Sequence, residues 1–556
     1  MPINLSLTAH AISTMLTTDP AFFALQASRK MPRKVRQALA TAAGATSIPY
    51  LEQAGAFLAD RPTDLDIPGP FVSAMRIAQG KPPLKGATAT QRARYLRSIG
   101  ELSKAIELLE PSSKLRRRYE SEKRLLTEPV TLDVPLMAAP TRDSLDVLHV
   151  LVSSAPYTNS GYTVRTSAIM KGQQEMGLRV AGVTRVGYPA IIGNIAAPRY
   201  SDVNGVRYWR IQPNSYPNDP YELAQLHAHY LASLVAKLRP RTLHATTDYT
   251  NGVVTRAVAQ AFGIPWIYEM RGQREKSWVA ALPSDAQGPA SESELFELIQ
   301  RKEAELARSA SAVVVLSQVQ FDDLVSRGVP AEKITIIPNA YTPADTSPLS
   351  PHQARDELGL PQAFTVGTLT SIVDYEGLDT LVRAIGILRR EGRNVRGVIV
   401  GDGVARAYVQ ALRDELGVED AITMPGRVER EKSHTWYQAL DLFAVPRKQT
   451  LVTQTITPIK PVEAMSNGTP VVISDLAPLR EMVTDVGAGL AFPPGDYQAM
   501  AQTIRYLMDS PDVYRNASMA ARAEAHRRTW PANTARYREI YRQLIGSSHD
   551  FYGGDR

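Results

Sequence analysis

The residues best suited to chemistry lie between Thr457 and Met482. Thr457-Pro-Ile-Lys-Pro-Val-Glu463 opens a run that passes Ala464, Met465 and Gly468, reaches the apolar Pro470-Val-Val-Ile473 and Asp475, and is followed by Leu479-Arg-Glu-Met482. Thr457 reads as an N-cap, Pro458 as the first helical residue and Gly468 as the stop before a strand. Such a helix turns free N–H groups and its positive dipole end outward, which suits a diphosphate. Lys460 and Glu463 are three apart on one face, so a cation for phosphate and a carboxylate for two ribose hydroxyls would stand together. A surface ion pair on a capped helix is the plainer alternative, and these residues alone leave both open. Two further segments suit a nucleotide. Val398-Ile-Val-Gly-Asp-Gly403 is a buried strand ending in glycines that let a ligand or another strand come close. The backbone edge of Gly426-Arg-Val-Glu429 could read a nucleobase.

Composition narrows the chemistry. With no cysteine among 556 residues there is no disulfide framework, thiolate nucleophile or cysteine metal site, and the nine histidines form no HExxH pair. The lone Asp-x-Asp, Asp64-Leu-Asp66, reads as a loop, so no metal is expected. No run approaches a membrane span, and Met1 to Ser28 lacks the pattern of a secretion signal, so the expected address is cytoplasmic. The net charge of +7 is uneven: residues 1–142 hold 20 Lys and Arg against 12 Asp and Glu, and the remainder 43 against 44. The densest run, Lys114-Leu-Arg-Arg-Arg-Tyr-Glu-Ser-Glu-Lys-Arg124, is helical in composition. It could be a solvated helix face, or could meet anionic lipid at the inner face of the membrane, a lipid-linked acceptor or a polyanion. It has no nucleic-acid-binding motif or aromatic platform, so nucleic acid is not an expected partner.

The elements that must position these residues follow from periodicity. Residues 1–142 alternate helix-forming stretches with breakers and end in a Pro-containing linker, Glu128 to Thr141. From Leu145 short apolar runs alternate with amphipathic stretches: Val147 to Val152, Arg179 to Val183, Thr242 to Ala245, Ile264 to Tyr268, Ala312 to Leu316 and Ile334 to Ile337. After an interruption at Pro343 to Ser350 the pattern restarts with Phe364 to Gly367, Gly397 to Val400, Leu442 to Val445 and Pro470 to Ile473. This predicts two mostly parallel sheets covered on both faces. The expected domains are a helical module over 1–142, a first Rossmann-like domain over 143–345 and a second over 346–534. Residues 535–556 are able to pack back on the first. Ligands would bind beyond the carboxyl ends of the strands, in a cleft between facing domains.

The order and spacing of these pieces resemble the retaining glycosyltransferases of family 4, whose two-domain α/β fold is called GT-B. The resemblance covers about residues 145–545. Glu463-Ala-Met-Ser-Asn-Gly-Thr-Pro-Val-Val472 is similar to a family segment whose glutamate binds the nucleotide ribose. Tyr157-Thr-Asn-Ser-Gly-Tyr162 resembles the loop after the first strand, and Tyr268-Glu-Met-Arg-Gly272 a loop lining the cleft. Val315-Leu-Ser317 and Ile337-Pro-Asn339 resemble the strand-end serine and the Pro-Asn that closes the first domain. The fold implied is GT-B, two facing Rossmann-like domains with an interdomain cleft, plus an α-helical N-terminal extension. The activity implied is transfer of a sugar from a UDP- or GDP-linked donor to a glycan, lipid-linked or protein acceptor, with retention and without a metal.

The resemblance also implies roles. Lys460, Arg447 and the helix N-terminus would stabilise the diphosphate, with Lys448, Thr455 and Thr457 beside the donor. Glu463 would hold the ribose, Gly426, Arg427 and Val428 would line the base pocket, and Gly161 would let the backbone approach the donor. Glu269 would be orienter or base on the acceptor side, with Arg271 next to it. Three positions depart from the family. Thr455 stands where a second carboxylate contacts the transferred sugar, Gly367-Thr368 replaces a Gly-Arg pair, and Glu376-Gly377 replaces a Lys-Gly pair. The customary phosphate cations are therefore missing; Arg447, Lys448 and Lys460 are the nearest replacements in sequence, and Arg271 could reach across. These departures keep two competitors open: an inactive scaffold or regulatory subunit, and another GT-B enzyme such as a sugar-nucleotide epimerase or a phosphorylase.

Overall fold

The computed structural model describes residues 33–46, 70–127, 129–136, 144–343, 349–429 and 432–546, with positions 13 and 55. Asp64 and Asp66, and parts of both expected linkers, lie outside the described residues. The chain forms two compact units, Met1–Thr163 with Gly177–Val313, and Val164–Met176 with Val314–Arg556.

Helices α1 (Arg33–Gly44), α2 (Pro70–Ala78), α3 (Ala89–Ser98), α4 (Leu102–Glu107) and α5 (Lys114–Thr127) come first. A capping box starts α3, with Thr88 and Gln91 bonding each other's backbone N–H. The basic run forms α5. Its Leu115, Tyr119 and Leu126 join a buried cluster with Ala93, Leu102, Ala105, Leu295 and Ile299, so these helices share a core with the first unit. Arg116 pairs with Glu120, Lys123 with Glu294, and Arg124 lies over the Tyr221 ring, which leaves Lys114, Arg117 and Arg118 outward. The segment after α5 is anchored: Asp133 N–H donates to Gln225 Oε1, Gln225 Nε2 donates to Asp133 O, and the Tyr221 hydroxyl donates to Thr131 O.

The first sheet then builds through β1 (Val147–Leu151), α6 (Gly161–Glu175), β2 (Val180–Thr184), β3 (Tyr200–Val203), β4 (Val206–Arg210), α7 (Pro220–Leu238), β5 (Thr242–Thr246), α8 (Tyr249–Phe262), β6 (Trp266–Glu269), α9 (Arg274–Ala280), α10 (Ser284–Ser291), α11 (Glu294–Ser309), β7 (Ala312–Val315), α12 (Gln318–Ser326) and β8 (Ile334–Ile336). The strand order is β3-β4-β2-β1-β5-β6-β7-β8. β1, β2, β5 and β6 are buried at every position, as interior strands of a parallel sheet must be. The antiparallel hairpin β3–β4 is not expected from the apolar runs. Its turn, Asn204-Gly205, has φ of 52° and 78°, the left-handed pair that a two-residue hairpin turn requires.

The second unit carries α13 (Pro351–Leu358), β9 (Phe364–Leu369), α14 (Leu378–Arg390), β10 (Val395–Val400), α15 (Arg406–Glu415), β11 (Ile422–Gly426), α16 (Ser433–Gln438), β12 (Leu442–Val445), α17 (Lys460–Ser466), β13 (Val471–Ser474), α18 (Ala477–Arg480), β14 (Gly489–Phe492), α19 (Tyr497–Asp509), α20 (Pro511–Arg527) and α21 (Trp530–Ile545). Its parallel sheet runs β11-β10-β9-β12-β13-β14. One buried cluster joins Val366 and Ile399 to Leu381, Ile385 and Ile504; another joins Val398, Phe443 and Ile473 to Val462, Met465 and Ala521. The two clusters are the two faces of the sheet. β9 and β12 run parallel, but the order in which the strands are laid down switches sides between them, so the crevice of this sheet opens beyond their carboxyl ends.

The compact units part at Val313, ahead of the boundary expected near residue 345. Contacts inside the second unit give the reason. Both Glu481 oxygens accept from Gln318 N–H at 3.0 Å, Asn339 Nδ2 donates to Thr457 O at 3.0 Å, and Tyr341 N–H donates to Arg528 O at 3.0 Å. Arg165 likewise ties the middle of α6 to Ile337 O, Pro338 O and the Tyr537 hydroxyl of α21.

Candidate active site

After β9 the chain makes a single turn, Asp374–Glu376, closed by Gly377; after β12 it continues as Pro446, Arg447 and Lys448. Gly377 has φ +66°, and a Cβ there would lie 1.9 Å from Pro446 O, so only glycine lets the two loops touch. They are then joined by charge. Arg447 is buried and forks onto Glu376, Nη2 to Oε1 at 2.8 Å and Nε to Oε2 at 3.2 Å, while Nη1 donates to Ile456 O at 3.0 Å. Lys448 Nζ donates to Asp374 Oδ1 at 2.7 Å and lies 3.7 Å from Asp379. Both of these candidate phosphate cations are thus held by acids of the preceding turn.

Lys460 differs from them. It opens α17 half-buried, and among the described residues it has no hydrogen-bond or ion-pair partner. Burial pushes its ammonium below the usual lysine range; Glu463 and Glu376 act the other way, and Arg447 adds to the lowering. Glu463, one turn along, accepts a short hydrogen bond from the Tyr437 hydroxyl of α16. Tyr437 is buried, and burial beside Glu463 holds its hydroxyl far above the ordinary tyrosine range. Nothing in the sequence pattern points to Tyr437, because only the fold brings α16 against α17.

The entry to α17 departs from expectation. The N-cap is Ile459, without a capping side chain, and Pro461 rather than Pro458 occupies the first turn. Thr457 therefore does not cap. Its Oγ1 is buried and lacks a partner among the described residues. The Thr455 hydroxyl, where a carboxylate was expected on family grounds, donates back to Leu451 O at 3.3 Å. Among the residues expected to line a base pocket, Gly426 has φ +92° and a Cβ there would meet Arg406 Nη1 at 2.8 Å. Arg427 is exposed, and Val428 packs on the apolar cluster. Of the two readings open for Gly401 and Gly403, the structure shows close approach by the chain itself: a Cβ would fall 1.8 Å from Thr370 O and 2.2 Å from Ile372 O.

In the first unit the loop after β1 leads to Gly161, exposed at the start of α6, where Ser160 and Thr163 bond reciprocally. Arg271, just past β6, donates from Nη1 to Tyr162 O at 2.8 Å and from its backbone N–H to Thr247 Oγ1 at 2.8 Å, tying the start of α6 to the chain just past β5 and β6. Its Nε and Nη2 fork onto Glu269 at 3.0 and 3.1 Å, and His244 Nε2 lies 2.9 Å from Glu269 Oε2. Glu269 is 0% exposed with both oxygens engaged. Of the roles expected for it, orienter and base, this geometry fits the orienter. Arg271 is 3% exposed.

Among the described residues no group of three His, Asp or Glu side chains is placed to hold a metal, and no helix is long and apolar enough to cross a membrane. Family profiles match both sheets. "Glycosyl transferase 4-like domain" matches residues 160–340 and "Glycosyl transferases group 1" matches 353–524. A D-inositol 3-phosphate glycosyltransferase of Thermobispora bispora is 24% identical over 315 residues, 54% of this chain and 70% of the relative. An alpha-D-kanosaminyltransferase of Streptomyces kanamyceticus is 25% identical over 248 residues, 44% and 63% of the two chains. Among solved structures, sucrose-phosphate synthase of Thermosynechococcus elongatus superposes with TM-score 0.59 at 21% identity, over 72% of this chain and 99% of the other. HepE of Anabaena, in complex with UDP, superposes with TM-score 0.56 at 19% identity, over 72% and 100%. These likenesses show the fold, the two Rossmann-like domains of GT-B.

Proposed function

The chain belongs to the glycosyl transferases group 1, of the family-4 type, and on that premise we propose that it moves a hexose from a UDP- or GDP-linked donor with retention of anomeric configuration. The observation that carries the site assignment is Lys460, a half-buried lysine without a partner among the described residues, one turn from Glu463 and close enough to Glu376 and Arg447 to feel their charge. In this reading the bond from the anomeric carbon to the diphosphate oxygen breaks as the bond to the acceptor oxygen forms. The acceptor's proton passes to the departing phosphate, and the nucleoside diphosphate leaves. Lys460 stabilises the charge growing on that phosphate, Glu463 holds the ribose hydroxyls, and Gly426, Arg427 and Val428 border the base. Glu269 sets Arg271, and Arg271 sets the loop that carries Gly161. No metal is required.

The acceptor is proposed as a glycan, a lipid-linked glycan or a protein. Relatives named for inositol phosphate and for 2-deoxystreptamine add small cyclitols to the trial set. Lys114, Arg117 and Arg118, outward on α5, support peripheral contact with anionic lipid from the cytoplasmic side. The deciding test is release of nucleoside diphosphate from a panel of UDP- and GDP-sugars, with and without a crude acceptor extract. Release from one donor, stimulated by the extract and abolished by Glu463→Ala, is the expected result. A well-folded protein that turns over no donor, with nucleotide binding alone, would return the assignment to a scaffold.

A further inference from the structure

Glu376 looks at first like a lost cation, an acid where the family has a lysine. Its contacts give it a different task. The chain from Thr455 to Lys460 is held at two consecutive carbonyls by buried side chains from separate elements: Ile456 O by Arg447 Nη1 at 3.0 Å, and Thr457 O by Asn339 Nδ2 at 3.0 Å. Asn339 is 3% exposed and Arg447 7%. Arg447 can hold Ile456 O only because Glu376 grips the other two guanidinium nitrogens and supplies the opposite charge that a buried arginine needs. The peptide between Ile456 and Thr457 is trans, so its N–H points opposite to its carbonyl. Pinning Ile456 O toward Arg447 therefore turns the Thr457 N–H away from it. Among the described residues neither that N–H nor the buried Thr457 hydroxyl has a partner. Three donors, the Thr457 N–H, the Thr457 hydroxyl and Lys460 Nζ, are thus left unspent on one short segment.

We infer that Glu376 is a positioning residue for recognition of the donor diphosphate, acting through Arg447 to fix the Thr455–Lys460 segment, with Asn339 as the second anchor. The inference rests on the transferase reading above. Arg447 is then a strut, and the phosphate is met by Thr457 and Lys460. The opposite assignment, Arg447 as the phosphate ligand, makes Glu376 a competitor of the donor, and the two assignments predict opposite results.

The test is calorimetric titration of the full chain with UMP and UDP, and with GMP and GDP, since the base is open. Wild-type protein prefers the diphosphate of one base. Glu376→Ala is expected to weaken the diphosphate about tenfold or more while leaving the monophosphate within about twofold, because misplacing a recognition segment by even ~1 Å is costly. Glu376→Ala leaves a buried arginine uncompensated and is able to unfold the protein, so the double variant Glu376→Leu/Arg447→Met, which removes the pair at similar volume, is titrated beside it with the same expectation. Unchanged or tighter diphosphate binding by a folded variant overturns the inference in favour of direct contact by Arg447. A parallel loss of monophosphate and diphosphate overturns it in favour of a general structural role. A wild-type protein with no preference for either diphosphate removes the site assignment itself, and this inference with it.

Discussion

Each sheet ends at its carboxyl edge in a buried arginine forked onto a glutamate, yet the surroundings of the two forks differ. In the first unit, Arg271 and Glu269 lie two residues apart on one strand end. Both glutamate oxygens accept from the arginine, His244 Nε2 lies 2.9 Å from Oε2, and a further guanidinium donor goes to Tyr162 O. In the second unit, Arg447 and Glu376 come from two different loops, and the fork leaves beside it Lys460, Thr457 Oγ1 and a half-buried Glu463 with donor or acceptor capacity to spare. A closed fork rigidifies the loops that carry a site. An open neighbourhood beside such a fork can receive a ligand, because its polar groups are already desolvated and fixed. Under the proposed function, Arg271 is scaffolding and the donor chemistry falls to the neighbours of Arg447.

The largest expected effect breaks the closed fork. Glu269→Ala leaves Arg271 buried without its counter-charge and should cost about 3–5 kcal/mol of folding stability, read by urea denaturation. A stable, inactive Glu269→Ala protein would instead make Glu269 a chemical participant. Next, Lys460→Met should lower kcat/KM about 10²–10³-fold with Tm little changed, the magnitude seen when one preorganised donor to a developing anion is lost. If Lys460→Met costs mainly stability, the open neighbourhood is structural as well.

Two pH experiments sharpen the contrast. Lys460 is depressed below the ordinary lysine range in the free protein, and a bound diphosphate would raise it again. The protonated form then binds more tightly, so diphosphate affinity should fall, by at most about tenfold per pH unit, as pH rises through the free-protein value; Lys460→Met should remove that slope. In the first unit, Glu303 is buried against Tyr268 and lies near Asp248 and Glu275. Burial chiefly, with those two acids, lifts its carboxyl from 4.5 to about 8. The folded state therefore keeps a proton that the unfolded state has released. Stability falls as pH rises from about 4.5 to about 8, by at most ~1.4 kcal/mol per pH unit. Glu303→Gln should flatten this decline in Tm scans at pH 5, 7 and 8.5.

Much of the fold was legible from the sequence because apolar runs dominate parallel strands. Val147–Leu151, Ala312–Val315 and Leu442–Val445 are strands where short Val- and Leu-rich runs predict them. The hairpin Tyr200–Arg210 escapes that rule, since an edge strand alternates exposed and half-buried residues; Asn204-Gly205 is the local signal that would locate it. At the candidate site, the nearness of Lys460 to Glu463 was legible because a helix places residues three apart on one face. The pairing of Glu376 with Arg447, 71 positions apart, was not, and neither was Tyr437 against Glu463, for both depend on which loops the sheet order makes neighbours. The same limit explains Thr457, which has the side chain of a cap but precedes the helix by three residues.

The overlap of Gly401 and Gly403 with the chain after β9 carries a consequence for dynamics. Thr370 N–H donates to Val400 O, Ile372 N–H to Asp402 O and Ala405 N–H to Ile372 O, and on the other side Gly401 N–H donates to Gly426 O of β11, at 2.8–3.0 Å, so the pairing of β10 with β9 and β11 runs on past the strand ends into what is nominally loop. Amide deuterium exchange at residues 370, 372, 401 and 405 should accordingly be as slow as in the strands themselves. The chain just past the ends of β9 and β10 is then expected to open with the strands rather than ahead of them.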